Sequence, residues 1–505
     1  MSEMNFDELY VVSDLHFGGL PGFQIFSQGD RLAATINGLA LKSPKKKLGL
    51  VLNGDIVDFL AEGDNYLDPE GAVGKLERVF ALDDSQEEKA FFMVWKALQD
   101  FVKKPNRRLV LILGNHDVEL ALPQVVEWLL RSLSRGKESA RGRISVHVDG
   151  AGFACRVKDK EVLCVHGNEA DDWNFVDYRQ LLKVSQAMNR RQNIPEWDAN
   201  AGTRLVIDVM NGIKKNFPVV DLLKPERKAA LPSVLALDPG AVKKITKLLK
   251  VTGCLGIDKF KRRLGFLSTD EALDALGEDA PDDDDVLADF LKEYYDYGTQ
   301  SRSAEDLLNA AFESEEDDEL SKDEEQEFLG PFDFIKALVG KKENQWENMR
   351  NALKDWLDAD KTFHLGHKDD IYKRLDELCG DGMDFLVAGH THLERAFERS
   401  TPGRFYFNSG TWIRLISLTE DILENGDDFK KVWNAFGSGK IENLDKLNDL
   451  GPNQDQSLIL NRSTVVSIVD DGEKVYGELC HSGDDGVLTP VAGTRFPQNS
   501  REKNV

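Results

Sequence analysis

Five short clusters of metal-ligating residue types, each at the end of an apolar run, constrain this chain more than any other feature. They are Asp14-Leu15-His16, Gly54-Asp55-Ile56-Val57-Asp58, Gly114-Asn115-His116-Asp117, His166-Gly167 and Gly389-His390-Thr391-His392. The chain of 505 residues holds nine histidines, and five of them fall inside these clusters. Random scatter does not produce that concentration. The preceding runs are Leu9 to Ser13, Leu48 to Asn53, Leu109 to Leu113, Glu161 to Val165 and Phe385 to Ala388. Each reads as a short buried strand, apolar on both faces. Polar ligands at the carboxyl ends of neighbouring strands are where open α/β sheets build their sites.

The rest of the chain divides by pattern. Residues 1–167 alternate strands with helical stretches, and Gln86 to Val102 reads as one helix, with Ala90, Phe91, Val94, Ala97, Leu98 and Phe101 at helical spacing. From about 174 to 360 the periodicity is helical, with Leu205, Val206, Val209, Met210, Ile213 and Phe217 on one stripe. Strands return at Phe385 to Ala388, Arg404 to Asn408, Thr464 to Val469 and Lys474 to Leu479, the last two joined by a turn at Asp470 to Glu473. The expectation is a discontinuous α/β core, residues 1–173 and 361–505, interrupted by a helical insertion at 174–360.

Charge splits that insertion. Residues 211–263 carry 13 basic against 4 acidic side chains, and residues 269–330 carry 3 basic against 24 acidic. The acidic part reads as a solvated, partly disordered linker. The basic part reads as the polar face of amphipathic helices, or as a cap offering positive charge to a phosphorylated substrate. The chain as a whole has a formal net charge of -25. That disfavours sequence-independent binding to long nucleic acid or to an anionic membrane surface. Five scattered cysteines, with no Cys-x-x-Cys pair, indicate neither a disulfide framework nor a thiolate zinc site and fit reduced cytosol. Met1 to Leu9 leads straight into the first strand without a signal-peptide pattern, and no uncharged apolar run approaches the ~20 residues of a membrane span. The expected setting is cytoplasmic.

Carboxylate, imidazole and amide-oxygen donors of mixed hardness suit Mn²⁺, Fe or Zn²⁺ better than Ca²⁺. Two ions about 3.5–4 Å apart need one shared ligand with two oxygens, and Asp55 is the natural bridge.

The ordered set D-x-H, G-D-x-x-D, G-N-H-D, H-G, G-H-x-H resembles the calcineurin-like metallophosphoesterases over roughly residues 9–167 and 361–412. Asn408-Ser409-Gly410-Thr411-Trp412 also resembles the strand and turn that follow the last motif of that family. The resemblance implies a four-layer α/β/β/α sandwich with mixed sheets, here carrying a large helical insertion. It implies two divalent ions per chain, Mn²⁺ first, with Fe, Zn²⁺, Ni²⁺ or Mg²⁺ as alternatives. Asp14, His16 and His392 with Asp55 would hold one ion, and Asn115, His166 and His390 with Asp55 the other. A hydroxide bridging the ions would attack phosphorus in line, and His116 would serve the leaving oxygen. Asp58 and Asp117 would hold ligand imidazoles or amides in position. Asp171 and Asp172, just after His166-Gly167, are candidates for substrate contact, as are Lys214, Lys215, Arg227 and Lys228 in the insertion.

Ser13 to Gly19 and Asn53 to Phe59 look like the branch containing UDP-2,3-diacylglucosamine pyrophosphatases. That branch usually reads G-N-R-D at the third motif, whereas this chain has Gly114-Asn115-His116-Asp117. A histidine there matches the phosphodiesterases, nucleases and nucleotide phosphatases of the superfamily. Three readings follow: a phosphoesterase for a small nucleotide-like substrate, a nuclease using the basic part of the insertion, and a non-catalytic protein-binding scaffold like the one this fold provides in the retromer coat. The sequence names neither a protein partner nor an oligomeric state.

Overall fold

The apolar runs form strands Glu8–Val12, Leu48–Asn53, Arg107–Ile112, Lys160–Cys164 and Phe385–Ala388, each ending one or two residues before its cluster. The structure is a computed structural model that describes residues 4–19, 24–62, 67–80, 89–197, 199–224, 229, 233, 236–237, 344–357, 360–447, 450 and 458–498. Arg227, Lys228, the acidic stretch 269–330 and most of the basic stretch lie outside these residues.

Two compact units divide the chain. The first comprises Met1–Thr203, Phe363–Arg414 and Asn461–Val505. It contains two mixed sheets. One runs Leu488–Pro490, Val475–Ser482, Thr464–Asp470, Glu8–Val12, Leu48–Asn53, Arg107–Ile112, Ile144–His147, and its last four strands are parallel. The other runs Asn5–Phe6, Phe153–Val157, Lys160–Cys164, Phe385–Ala388, Phe405–Ser409, Glu394–Glu398. Parallel pairing of Lys160–Cys164 with Phe385–Ala388, with Cys164 opposite Val387, sets the ends that precede His166 and His390 side by side. The turn at Asp470 to Glu473 closes a hairpin in which Asp470 pairs with Val475.

Val11, Val51, Val110 and Val466 of the first sheet and Val162, Phe385, Val387 and Phe407 of the second form one buried cluster between the sheets. Truncating Phe407 there would cost about 3–5 kcal/mol in lost contact and cavity. Helices cover both outer faces. Lys89–Lys103 buries Phe91, Val94, Trp95, Leu98, Phe101 and Val102 against helix Gly29–Leu41 and strand Arg107–Ile112. It stops where Pro105 disfavours a helical residue before it. Helix Asp370–Leu378 starts at Asp369, whose carboxylate accepts from the Tyr372 amide at 2.9 Å. Its Tyr372 and Leu375 pack on Leu386, Ala388 and Tyr406 of the second sheet. Helix, sheet, sheet and helix are the four layers.

The division differs from the sequence boundaries in two places. Residues 174–203 fall in the first unit: Ser185, on helix Tyr178–Asn189, donates to the Ala121 carbonyl at 2.9 Å, and the Gly202 amide to Trp173 O at 2.7 Å. Residues 415–460 fall in the second unit with 204–362. Within that unit, strand Leu415–Ser417 is sandwiched between Leu223–Lys224 and Ile459–Leu460. Helix Gly426–Gly437 there buries Phe429, Val432 and Phe436 and packs on Gln345–Leu357. No described helix is long and apolar enough to cross a membrane.

Candidate metal centre

Where the strands end, the backbone turns sharply. Asp14, His16, Asp55, His390 and His392 all have left-handed backbone, with φ of 53°, 48°, 49°, 69° and 62°. Such a conformation in a residue other than glycine costs roughly 1–3 kcal/mol and persists only where the surroundings impose it. Here the amides of Leu15 and His16 both donate to the Asp55 carbonyl at 2.9 Å, and Thr411 Oγ1 donates to the Asp14 carbonyl at 2.8 Å. The His390 amide donates to Asp14 Oδ2 at 3.0 Å. Two glycines make room. A Cβ on Gly54 would lie 2.3 Å from His166 Nδ1, and one on Gly114 would lie 2.2 Å from Asp55 Oδ1.

Three groups of side chains converge closely enough to hold a cation: Asp14, His16 and His392; Asp55, His166 and His390; and His16, Asp58 and His116. In the first, His392 Nε2 lies 3.1 Å from His16 Nε2 and 3.3 Å from Asp14 Oδ1. In the second, His166 Nε2 lies 3.2 Å from Asp55 Oδ2, without hydrogen-bond geometry. The same Asp55 oxygen is 3.8 Å from His16 Nε2. Its other oxygen accepts from the His116 amide at 2.9 Å. Oδ2 of Asp55 thus faces both groups, while Oδ1 meets the backbone.

The electrostatics suit cations. Burial works against the charges of Asp14 and Asp55. The imidazoles outweigh it, His392 beside Asp14 and His166 and His116 beside Asp55, and both carboxyls are held below the usual range. His16 is pushed down to about 3, by burial and then by His116, so its ring is neutral with a lone pair to give. Burial also disfavours charge on His166, but Asp55 more than compensates and raises it to about 10. Asn115 Oδ1 is buried without a hydrogen-bond partner. An orphaned acceptor costs about 1–3 kcal/mol, and a coordinated cation would relieve it. The donors are carboxylate, imidazole and amide oxygen, a set that fits a divalent transition ion.

The remaining expected residues take varied places. His116 Nδ1 lies 3.2 Å from Asp58 Oδ1. Asp117 is fully buried and accepts from the Ile56 and Gly114 amides, both at 2.6 Å. It thereby ties the turn after Asp55 to the turn before Asn115. Burial first, and then the charge of Asp55, raise its carboxyl to about 7. Asp171 lies against a ring of the second group: its Oδ2 is 2.9 Å from His390 Nε2. Asp172 pairs with Arg374 at 2.9 Å. Lys214, in the second unit, is buried and pairs with Asp221 at 2.7 Å, while Lys215 is exposed. Sequence reasoning missed Asn53, whose side chain donates to Val165 O at 2.7 Å and whose carbonyl meets His166 Nδ1 at 2.8 Å. It also missed Ser13, which donates to Asp14 Oδ2 and lies 2.6 Å from Ser409 Oγ. Small polar residues at a strand end were the only available signal.

Residues 8–216 match the family of calcineurin-like phosphoesterases. No curated protein matches the chain. The matched stretch carries the first four clusters, and the structure brings the fifth, Gly389 to His392, onto them through the second sheet. Residues 8–216 are thus similar to the calcineurin-like phosphoesterases, metal-dependent hydrolases of phosphate esters, and the site's acidic and imidazole groups are arranged to take divalent metal.

Proposed function

We propose that the chain uses two divalent ions, Mn²⁺ before the alternatives, to hydrolyse a phosphodiester, phosphomonoester or pyrophosphate bond in a small nucleotide-like substrate. The observation that carries this reading is the shared oxygen, Asp55 Oδ2, 3.2 Å from His166 Nε2 and 3.8 Å from His16 Nε2. Ions held by Asp14, His16, Asp55 and His392 and by Asp55, Asn115, His166 and His390 would polarise the phosphoryl oxygens and supply a nucleophile near neutral pH.

The protein's own part is orientation and proton delivery. His116 is the most exposed of the five clustered histidine rings, at 20% against 0–13% for the others. Asp58 lies against Nδ1, which leaves Nε2 as the nitrogen to serve the leaving oxygen. Asp117 and Asn53 keep the ligand turns in register. The net charge of -25 supports a small substrate over a long polyanion.

The test is one activity panel on the Mn²⁺-loaded full chain: nucleotides, cyclic nucleotides, pyrophosphate-linked metabolites, and single- and double-stranded nucleic acid. Turnover of a small substrate with a shallow salt dependence is expected. Turnover of nucleic acid alone, falling steeply with salt as counterion release requires, would instead establish the nuclease. No turnover with metal bound would leave the scaffold reading.

A further inference from the structure

We propose that Asp171 is a positioning residue that decides which nitrogen of His390 meets the metal. The inference rests on the metal site proposed above and deepens it.

A histidine can ligate through either ring nitrogen, and the hydrogen bond at the other nitrogen makes the choice. His390 Nε2 lies 2.9 Å from Asp171 Oδ2. An ionised carboxylate only accepts, so the neutral ring must carry its proton on Nε2. Nδ1 is then the lone pair offered to the group of Asp55, His166 and His390.

Asp171 is itself fixed. Its Oδ1 accepts from the Trp173 amide at 2.9 Å, and its Oδ2 also accepts from Asn174 Nδ2 at 2.8 Å. The short 3-10 turn Asn168–Ala170 carries the chain from His166 to Asp171. The Gly389 amide donates to His166 O at 2.8 Å and holds His390 alongside. One local segment therefore supplies a ligand, His166, and the residue that orients the next ligand across the sheet.

The other three imidazoles of the site have no such partner. His166 Nδ1 meets a neutral carbonyl, Asn53 O, at 2.8 Å. His16 Nδ1 is 3.9 Å from Asp58 Oδ2, and His392 Nδ1 is buried without a hydrogen-bond partner. Among these four rings, His390 is the one whose outer nitrogen reaches a carboxylate at hydrogen-bond distance. A carboxylate behind a ligating imidazole makes it a stronger donor, and losing one typically costs about 10- to 100-fold in metal affinity.

The test uses the full chain with Asp171→Asn, which keeps the side-chain size and one acceptor oxygen. Mn²⁺ is titrated calorimetrically into the metal-free protein. The variant should bind one ion as the parent does and the other about 10- to 100-fold more weakly. Nitrogen-15 NMR of the metal-free protein, at a pH where the His390 ring is neutral, supplies a readout independent of activity. His390, assigned by its loss in His390→Gln, should be the Nε2-H tautomer in the parent and gain the Nδ1-H form in Asp171→Asn. Parental affinity for both ions in the variant, equal weakening of both, or an Nδ1-H ring in the parent would each overturn the proposal. Failure of the activity panel with both ions bound would refute the catalytic reading and leave these results standing.

Discussion

Replacing Asp117 by alanine separates a carboxylate that clamps the site from one that merely neighbours it. The side chain accepts from the Ile56 and Gly114 amides, each at 2.6 Å, and these amides lie beside Asp55 and Asn115. Both are buried with it, so alanine orphans two donors at about 1–3 kcal/mol each. Global stability is a poor readout, because the substitution also removes a buried carboxyl that the charge of Asp55 disfavours. That carboxyl is raised to about 7 in the fold. Its contribution to stability is therefore full below the unfolded pKa near 3.8 and lost as pH rises through 7. Amide hydrogen exchange reads the clamp directly. At 1.36 kcal/mol per tenfold, losing about 1–3 kcal/mol accelerates exchange at Ile56 and Gly114 about 5- to 150-fold. Asp117→Asn, which keeps one acceptor, should expose one of the two amides. Unchanged protection at both in Asp117→Ala, or equal loss across the whole sheet, would refute the reasoning.

Three further outcomes are expected. Asp55→Asn should bind fewer than two Mn²⁺ per chain by elemental analysis and lose activity, because one oxygen serves both groups; full activity with two ions would exclude a shared ligand. His116→Ala should keep its metal and lose about 10²–10⁴ in kcat on a substrate with a poor leaving group, and less on a nitrophenyl ester; an equal loss on both would remove His116 from proton delivery. In the metal-free protein Asp55 raises His166 to about 10, so the pair's contribution to stability is full below about 6.5 and lost as pH rises through 10. Metal affinity should run the opposite way, with a proton released from His166 at pH 7, measured by calorimetry in buffers of different ionisation enthalpy; no release would refute a protonated ring.

The clusters were legible because ligation admits few residue types and strand ends admit few positions. What lay between them was harder to read. Strand Glu394–Glu398 has the sequence ERAFE, which reads as surface, yet Glu394 and Arg395 are buried. Glu394 is tolerated because His481 and Arg462 reach it at 2.6 and 2.8 Å and Thr464 donates to it. Those partners are distant in sequence, and no local pattern announces them. Asp171 and Asp172 are adjacent and chemically identical, but one meets His390 while the other pairs with Arg374. Only the turn after His166 and the pairing of two strands separate their fates. The grouping of residues 415–460 with 204–362 is hard to read for a similar reason. Strand Leu415–Ser417 has only three residues, and its partners begin at Leu223 and Ile459.

The least legible feature is the backbone of the proposed ligands. A left-handed turn is ordinarily read from glycine, but a ligand position needs a side chain and cannot use one. Asp14, His16, Asp55, His390 and His392 therefore accept a conformation their sequence does not advertise. The hydrogen bonds that impose it close among protein atoms: Asp55 O to the amides of residues 15 and 16, Asp14 O to Thr411, and the Asp14 carboxylate to the His390 amide. None of them needs an ion. The ordering of these turns thus rests on the strands and hydrogen bonds around them, and under the proposed reading a cation would meet side chains whose backbone is already placed by folding.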